Sequence, residues 1–267
     1  MEQICDYRRW APEKTRFQPV TNLCLLPGQL QNLSETGRLR GSKCGTGMVL
    51  LVDEGEYDAL YFHLEGFQPL YLPKQKKPYM AELLYRTDRE GEIEEAERLL
   101  QASGFFRRTR CIHFTAPLCS IEPEEHGKCN IILAQATHLN AVRGLWEQHL
   151  SCYDFHEDSR ARLAELIEQN KICCALNDNG DVCGAMMLDI QQKRLSCRHL
   201  VVHPDYRGKG LGQKILHFAF AHGLKLGCRT ASHWVAEDNL PSMAMHRKLM
   251  KQTNRMMAQY VLEKRSK

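Results

Sequence analysis

The sequence lacks the features that mark membrane, secreted and zinc-binding proteins. Among its 267 residues, no run approaches the roughly 18 consecutive apolar residues of a membrane-spanning helix. The segment Met1–Asp6 has no basic region followed by an apolar core, so no signal peptide is expected. The 12 cysteines include no Cys-x-x-Cys pair, which argues against a zinc knuckle and predicts no metal site.

Cysteine and charge usage indicate a protein of the reducing cytoplasm that does not bind nucleic acid. A disulfide framework is disfavoured because the chain is large and shows no export signal. Cys173, Cys174, Cys183 and Cys197 lie in apolar stretches and are interpreted as small core residues. The net charge of +4 is slight, and the basic residues are spread along the chain, so no basic face for nucleic acid is expected.

The composition is that of a globular protein long enough for two modest domains. Hydrophobic residues make up 43% of the chain and charged residues 25%, which argues against disorder. The segment Pro117–Lys128 combines two prolines, a glycine and acidic residues without helical or strand periodicity. We therefore predict a domain over residues 1–120 and a second over residues 129–267.

The segment Val201–Gly212 carries the clearest functional signal, because an apolar strand passes through a proline turn into a basic glycine loop that opens a helix. Its three glycines permit positive φ angles and close approach of the backbone, so that N–H groups can point at an anion. The helix predicted over residues 213–226 adds a partial positive charge at its start. The residues assigned to this diphosphate site are Arg207, Gly208, Lys209, Gly210, Leu211 and Gly212.

Two familiar phosphate loops do not fit this segment. The dinucleotide fingerprint requires Gly-x-Gly-x-x-Gly and an acidic residue about 20 positions on, and neither is present. A Walker loop requires Gly-Lys-Ser/Thr, whereas Gly212 is followed by Gln213. An ordinary strand–helix connection remains the structural alternative.

The loop resembles the Arg/Gln-x-x-Gly-x-Gly/Ala pattern of the GCN5-related N-acetyltransferases (the GNAT family), which hold the pyrophosphate of acetyl-coenzyme A (acetyl-CoA). The stretch Leu200–Val202, followed by His203–Tyr206, resembles the family's fourth strand, whose backbone pairs with the pantetheine arm. The resemblance implies acetyl-CoA as cosubstrate, bound also by the strand residues Leu200, Val201 and Val202.

The segment Trp234–Leu249 is similar to the family's fifth strand and fourth helix. Asn239 and Ser242 match the family's Asn-x-x-Ala/Ser pattern, which implies that they contact the cofactor. Two positions depart from the pattern. His246 stands where a tyrosine is usual, and Met250 stands where a glycine is usual.

The resemblance implies direct transfer of the acetyl group to an amine, without an acyl-enzyme. His246 is predicted to be the general acid, because it follows Asn239 by seven residues on one helical face and imidazole titrates near pH 6.5. The alternative is a packing histidine with water as the donor. Glu237 is predicted to be the base, although it could merely cap the helix, and a water relay would need no base. The other candidate bases are Asp238, His199 and His233.

The resemblance also implies an α/β (α+β) fold with a mixed, mostly antiparallel sheet flanked by helices. In the second half we predict strands over residues 130–134, 172–176, 182–190 and 195–202 and helices over residues 138–150 and 159–170. The turn Asn177–Gly180 is a strong hairpin signal. In the first half we predict strands over residues 47–52, 57–64 and 79–85, a helix over residues 92–102 and a strand through residue 115.

We interpret the first half as a smaller, diverged copy of the same fold without a cofactor loop; the alternative is an unrelated α+β domain. The predicted activity is acetyl-CoA-dependent N-acetylation of a small-molecule or peptide amine, with the acceptor contacting Ser151–His156. The rival hypothesis is a catalytically idle acyl-CoA-binding protein for regulation or assembly. No membrane or nucleic-acid partner is expected, and a homodimer is left open.

Overall fold

The structure, a computed structural model, describes residues 20–45, 47–68, 70–74, 76–120, 130–154 and 160–263. Contacts divide the chain into two compact units, the first formed by residues 1–111 with 254–267 and the second by residues 112–253. The predicted domains differ from these units in two places. Residues 112–120 are predicted in the first domain but belong to the second unit, and residues 254–267 are predicted in the second domain but belong to the first unit. Most of the predicted linker, residues 121–128, lies outside the described residues.

Both units contain strands and helices. The strands are β1 Val20–Thr21, β2 Leu39–Cys44, β3 Gly47–Asp53, β4 Asp58–Leu64, β5 Tyr79–Arg86, β6 Phe106–Pro117, β7 Asn130–Leu133, β8 Ile172–Leu176, β9 Val182–Gln191, β10 Arg194–Val202, β11 Thr230–Ala236 and β12 Lys251–Leu262. The α-helices are α1 Pro27–Glu35, α2 Glu94–Ala102, α3 Leu139–His149, α4 Arg160–Glu168, α5 Leu211–Lys225 and α6 Leu240–Leu249.

The first unit has a sheet in the order β2-β3-β4-β5-β12, with β6 beside β12 and β1 paired to β4. The pairs β1–β4, β2–β3, β3–β4 and β5–β12 are antiparallel, whereas β4 and β5 pair in parallel at Asp58↔Tyr79 and Ala59↔Met80. Helix α2 buries Ala96, Leu99 and Leu100 along one side, as its spacing predicts. A 3₁₀ turn at Thr87–Ile93 precedes it, so the α-helix begins two residues later than predicted.

The second unit has a sheet in the order β11-β10-β9-β8-β7, with β6 beside β11. Strands β10 and β11 are parallel, and the other pairs from β7 to β10 are antiparallel. The predicted mixed, mostly antiparallel sheet flanked by helices is confirmed.

Each face of this second sheet has its own hydrophobic core. Ile215 and Phe220 of α5 pack on one face with Cys173. Trp146 of α3 and Leu166 of α4 pack on the other face with Cys174. Consecutive cysteines of β8 thus serve opposite faces, as the period-two geometry of a strand requires. The interpretation of Cys173, Cys174, Cys183 and Cys197 as core residues is confirmed by their burial. Within the described ranges, no helix has the length and apolar character to cross a membrane.

Candidate functional site

The candidate site begins where strands β10 and β11 stop pairing. Their parallel register runs from Arg194↔Thr230 to Cys197↔His233, although β10 continues to Val202 and β11 to Ala236. The register of β10 with β9 also shifts between Arg198 and Val201. His199 lies in this irregularity with a φ of 53°, a left-handed value that L-residues seldom adopt. The strand predicted to present its backbone to a ligand is therefore irregular at the predicted place.

After β10 the chain turns into the glycine loop, which has an open surface. Gly208 and Gly210 have φ values of 73° and 75°, and a Cβ added at either glycine would meet no atom within 4 Å. Gly210 is the N-cap of α5 and provides no side-chain hydrogen bond to the first turn of the helix. The first N–H groups of a helix have no intrahelical acceptor, so the start of α5 presents backbone donors and a partial positive charge at an exposed, uncapped end.

The two cations of the loop are held by backbone oxygens. Arg207 Nε donates to the carbonyl oxygen of Val202 at 2.9 Å. Lys209 Nζ donates to the carbonyl oxygen of Asp205 at 3.0 Å and lies 5.6 Å from the centre of the Tyr206 ring. Both residues are exposed, so their charges remain beside the start of α5, where an anion would be favoured.

Leu211 and Gly212 anchor the loop to the core. Leu211 is buried, so only its backbone can face a ligand. A Cβ at Gly212 would lie 3.2 Å from Met245 Sδ and 3.7 Å from Val202 Cγ2. This close packing of α5 against β10 and α6 gives Gly212 a structural purpose beside the predicted one.

Asn239 and Ser242 form the N-terminal cap of α6. Asn239 Oδ1 accepts the Ser242 N–H at 3.2 Å, the arrangement of an N-cap residue. Asn239 is exposed and Ser242 is half-buried. Their predicted contact with a cofactor stays a prediction, since the cap alone accounts for the asparagine.

His246 lies in the interior, with no exposed surface, and both of its ring nitrogens have partners. Its Nδ1 is 2.8 Å from the Ser242 carbonyl oxygen and 3.3 Å from Ser242 Oγ, and its Nε2 is 2.7 Å from His233 Nδ1. Burial lowers the pKa of His246, and burial together with the nearby charge of His246 lowers the pKa of His233 well below its ordinary value. General-acid catalysis by His246 stays a prediction, and its geometry is also that of the packing alternative.

The remaining predicted residues lie near the turn before α6 or in the proposed acceptor rim. Glu237 is half-buried and Asp238 is exposed, just after β11 ends. In the rim, Ser151 Oγ donates to Asp154 Oδ2 at 2.7 Å, which orders this turn. Residues 155 and 156 of the rim lie outside the described residues.

The contact between His233 and His246 is the feature that sequence reasoning missed. Each histidine is identifiable from the sequence as a candidate, but they are 13 residues apart on a strand and a helix, so no spacing rule pairs them. Burial alternates along β11, where Ala231, His233 and Val235 face inward; a strand prediction over these residues could place His233 inside but could not pair it with His246. Among the described residues, no group of three or more potential metal ligands is present.

Comparison with known proteins supports a family assignment. Residues 139–250 match the family described as Acetyltransferase (GNAT) family. A Yersinia pestis protein named acetyltransferase is 34% identical over 71 residues, which are 27% of this chain and 50% of that protein. The chain thus spans about half the length of the curated relatives it matches.

Solved structures share the fold at low sequence identity. A GCN5-related N-acetyltransferase from Sphaerobacter thermophilus superposes with a TM-score of 0.61 at 14% identity, covering 82% of this chain and 77% of that one. A tandem GNAT protein from the clavulanic acid biosynthesis pathway superposes with a TM-score of 0.56 at 14% identity, covering 86% of this chain and 85% of that one.

Proposed function

We propose that the chain, whose residues 139–250 match the acetyltransferase (GNAT) family, transfers an acetyl group from acetyl-CoA to the amine of a small molecule or peptide. The single observation that carries the proposal is the uncapped, glycine-lined start of α5 beside two exposed cations. This arrangement suits a diphosphate, which needs several convergent donors.

The residues of the loop fit the pyrophosphate of acetyl-CoA. Open space around the Cα atoms of Gly208 and Gly210 lets a phosphate approach the backbone N–H groups. Arg207 keeps its terminal guanidinium N–H groups for the ligand, because Nε is the atom that bonds to Val202. Lys209 adds a second positive charge, held near the loop by its bond to Asp205.

The strand residues Leu200, Val201 and Val202 would supply backbone groups to the rest of the cofactor. The pairing of β10 with β11 ends at Cys197, so the backbone of β10 after Cys197 is not part of that ladder. A thioester provides an activated acyl carbon, and the protein's task is to orient that carbon, the amine and a proton acceptor together. Backbone N–H groups near the carbonyl oxygen would stabilise the negative charge that develops there.

We propose that Asn239 and Ser242 contribute at the edge of the same site and that the base is one of the four candidates Glu237, Asp238, His199 and His233. The amine itself would enter near Ser151–Asp154, the described part of the predicted rim. The tandem GNAT protein that superposes on 86% of the chain supports the proposal that the first unit is a diverged copy of the fold. Since the described residues of that unit include no glycine loop of this type, we expect one cofactor per chain.

We further propose a cytoplasmic location and no nucleic-acid partner. Ten cysteines in the described part of the chain are thiols, seven of them buried, which suits a reducing compartment. The modest net charge of +4 supports the absence of a nucleic-acid partner.

The test is a calorimetric titration with CoA, comparing Gly210→Ala with Gly227→Ala. Both glycines have positive φ, 75° and 79°, and both have open space at the Cβ position, so backbone strain is matched. Only Gly210 lies at the proposed cradle. The methyl group of Gly210→Ala would occupy the space through which the phosphate approaches a backbone N–H group. Loss of one charge-assisted hydrogen bond costs about 1.5–3 kcal/mol, so this variant should bind CoA more weakly by about tenfold or more, while Gly227→Ala leaves binding unchanged.

The same titration gives the stoichiometry, expected to be one. Equal affinity of the two variants would contradict the cradle assignment. Release of free thiol from acetyl-CoA, measured over panels of amines, amino acids and peptides, tests transfer; binding without turnover on every panel would contradict the catalytic part of the proposal.

A further inference from the structure

Two buried histidines of the second unit, His233 on β11 and His246 on α6, are joined ring to ring. His246 Nε2 and His233 Nδ1 are 2.7 Å apart, and the rings are nearly perpendicular at 80°. His246 is 0% exposed and His233 is 8% exposed. A proton or a substrate can therefore reach the pair from outside only through His233.

The hydrogen bonds of His246 fix the tautomers of both rings. A carbonyl oxygen can only accept, so the 2.8 Å contact with the Ser242 oxygen places a hydrogen on His246 Nδ1. A neutral imidazole carries one hydrogen, which leaves His246 Nε2 as an acceptor. His233 must then donate from Nδ1, and its own Nε2 is left with a bare lone pair.

His233 lies where this lone pair could act on a substrate. His233 forms the last pair, with Cys197, before β10 and β11 cease to pair. His199, at the irregular point of β10, is one of the groups whose charge acts on His233, together with His246 and His113. Burial and these neighbours keep His233 neutral by lowering its pKa, so its lone pair stays available near neutral pH.

We propose that Nε2 of His233 accepts the proton of the acceptor amine and that His246 is the positioning residue that holds His233 in the required tautomer. The inference rests on the proposed transfer reaction. The amine N–H bond breaks, its proton goes to His233 Nε2, and the nitrogen electron pair forms the bond to the acyl carbon. The carbon–sulfur bond breaks with its pair on sulfur, and the proton on His233 then passes to the thiolate.

The tautomer is testable without turnover. In protein labelled with the heavy nitrogen isotope in histidine, nitrogen NMR distinguishes ring nitrogens with and without a hydrogen, and loss of signals in His233→Gln assigns them. We expect hydrogen on Nδ1 of His233 and a bare Nε2. A hydrogen on Nε2 of His233 would overturn the inference.

Kinetics test the role of the pair. His246→Gln keeps an acceptor oxygen for His233 Nδ1, whereas His246→Phe removes it, so the two form a matched pair. We expect His246→Phe to lower kcat by about tenfold or more, His246→Gln to recover most of it, and KM for acetyl-CoA to stay within about twofold. His233→Gln should lower kcat by about a hundredfold or more.

The outcomes separate this inference from the proposed function. Wild-type kcat in His233→Gln, or equal kcat in the two His246 variants, would overturn the inference while transfer itself stands. If CoA binds but no amine is acetylated, both the transfer reaction and the catalytic use of the pair fail, whatever the tautomer. Should His233→Gln not fold, the comparison of His246→Phe with His246→Gln still decides the matter.

Discussion

The buried histidine pair should make the stability of the protein depend on pH below neutrality. Burial lowers the pKa values of His233 and His246 in the folded state relative to the ordinary value of about 6.5. As the pH falls through about 6.5, the unfolded chain takes up protons at these positions and the folded protein does not. The unfolded state then binds more protons, so the free energy of unfolding falls as the pH falls.

The size of the effect follows from proton linkage. One histidine that is protonated only in the unfolded state lowers the free energy of unfolding by about 1.4 kcal/mol per pH unit, and two such histidines by at most about twice that. The loss continues from about 6.5 down to the lowered folded-state pKa and then levels off. The total free energy of unfolding is about 5–15 kcal/mol, so the loss over one or two pH units is large enough to measure.

The assay is urea denaturation at a series of pH values on both sides of about 6.5, for the wild type and for the double variant His233→Leu/His246→Leu. Replacing both partners of a buried hydrogen bond by apolar groups can be nearly neutral, so the double variant is expected to fold. Burial also lowers the pKa values of His63, His149 and His222, but these remain in both proteins and cancel in the difference. Parallel stability curves for the two proteins would refute the reasoning.

Two other predictions concern packing and thiol chemistry. A Cβ at Gly184 would lie 2.7 Å from Ile215 Cδ1, so Gly184→Ala should lose about 1–3 kcal/mol in urea denaturation, and Ile215→Val should restore part of it; a neutral Gly184→Ala would contradict the packing described. Burial raises the pKa of Cys197 to about 12, so this thiol should resist alkylation in the folded protein while exposed Cys152 is modified, as mass spectrometry would show. Equal modification of the two cysteines would argue against the burial of Cys197.

The elements predicted best from the sequence are those whose signals are local. The turn between β8 and β9 is an example, because Asn177 Oδ1 accepts the N–H groups of Asn179 and Asp181 at 2.9 and 2.8 Å, and Gly180 has a φ of 85°. These contacts lie within five residues, so residue type alone specifies them. The glycine loop could be predicted for the same reason, because its glycines and basic residues are close together in the sequence.

The elements that escaped prediction depend on distant partners. Strand β2 is at the edge of its sheet and buries only Cys44, so it has no apolar alternation to detect. Helix α1 buries only Leu30. Strand β12 begins with five polar residues, Lys251–Arg255, and its pairing with β5 runs from Arg255 to Leu262. The contact between His233 and His246 likewise requires tertiary structure, which no pattern in one segment specifies.

The membership of β12 has a consequence for biosynthesis. Its residues from Asn254 onward belong to the first unit, where Tyr260 and Leu262 pair with Ala81 and Tyr79 of β5. A ribosome makes these residues only after the whole of residues 112–253. The usual order, in which an amino-terminal domain finishes folding during synthesis, is therefore closed to this chain. Until then β5 lacks one neighbour in the first unit, and an unpaired strand edge favours aggregation.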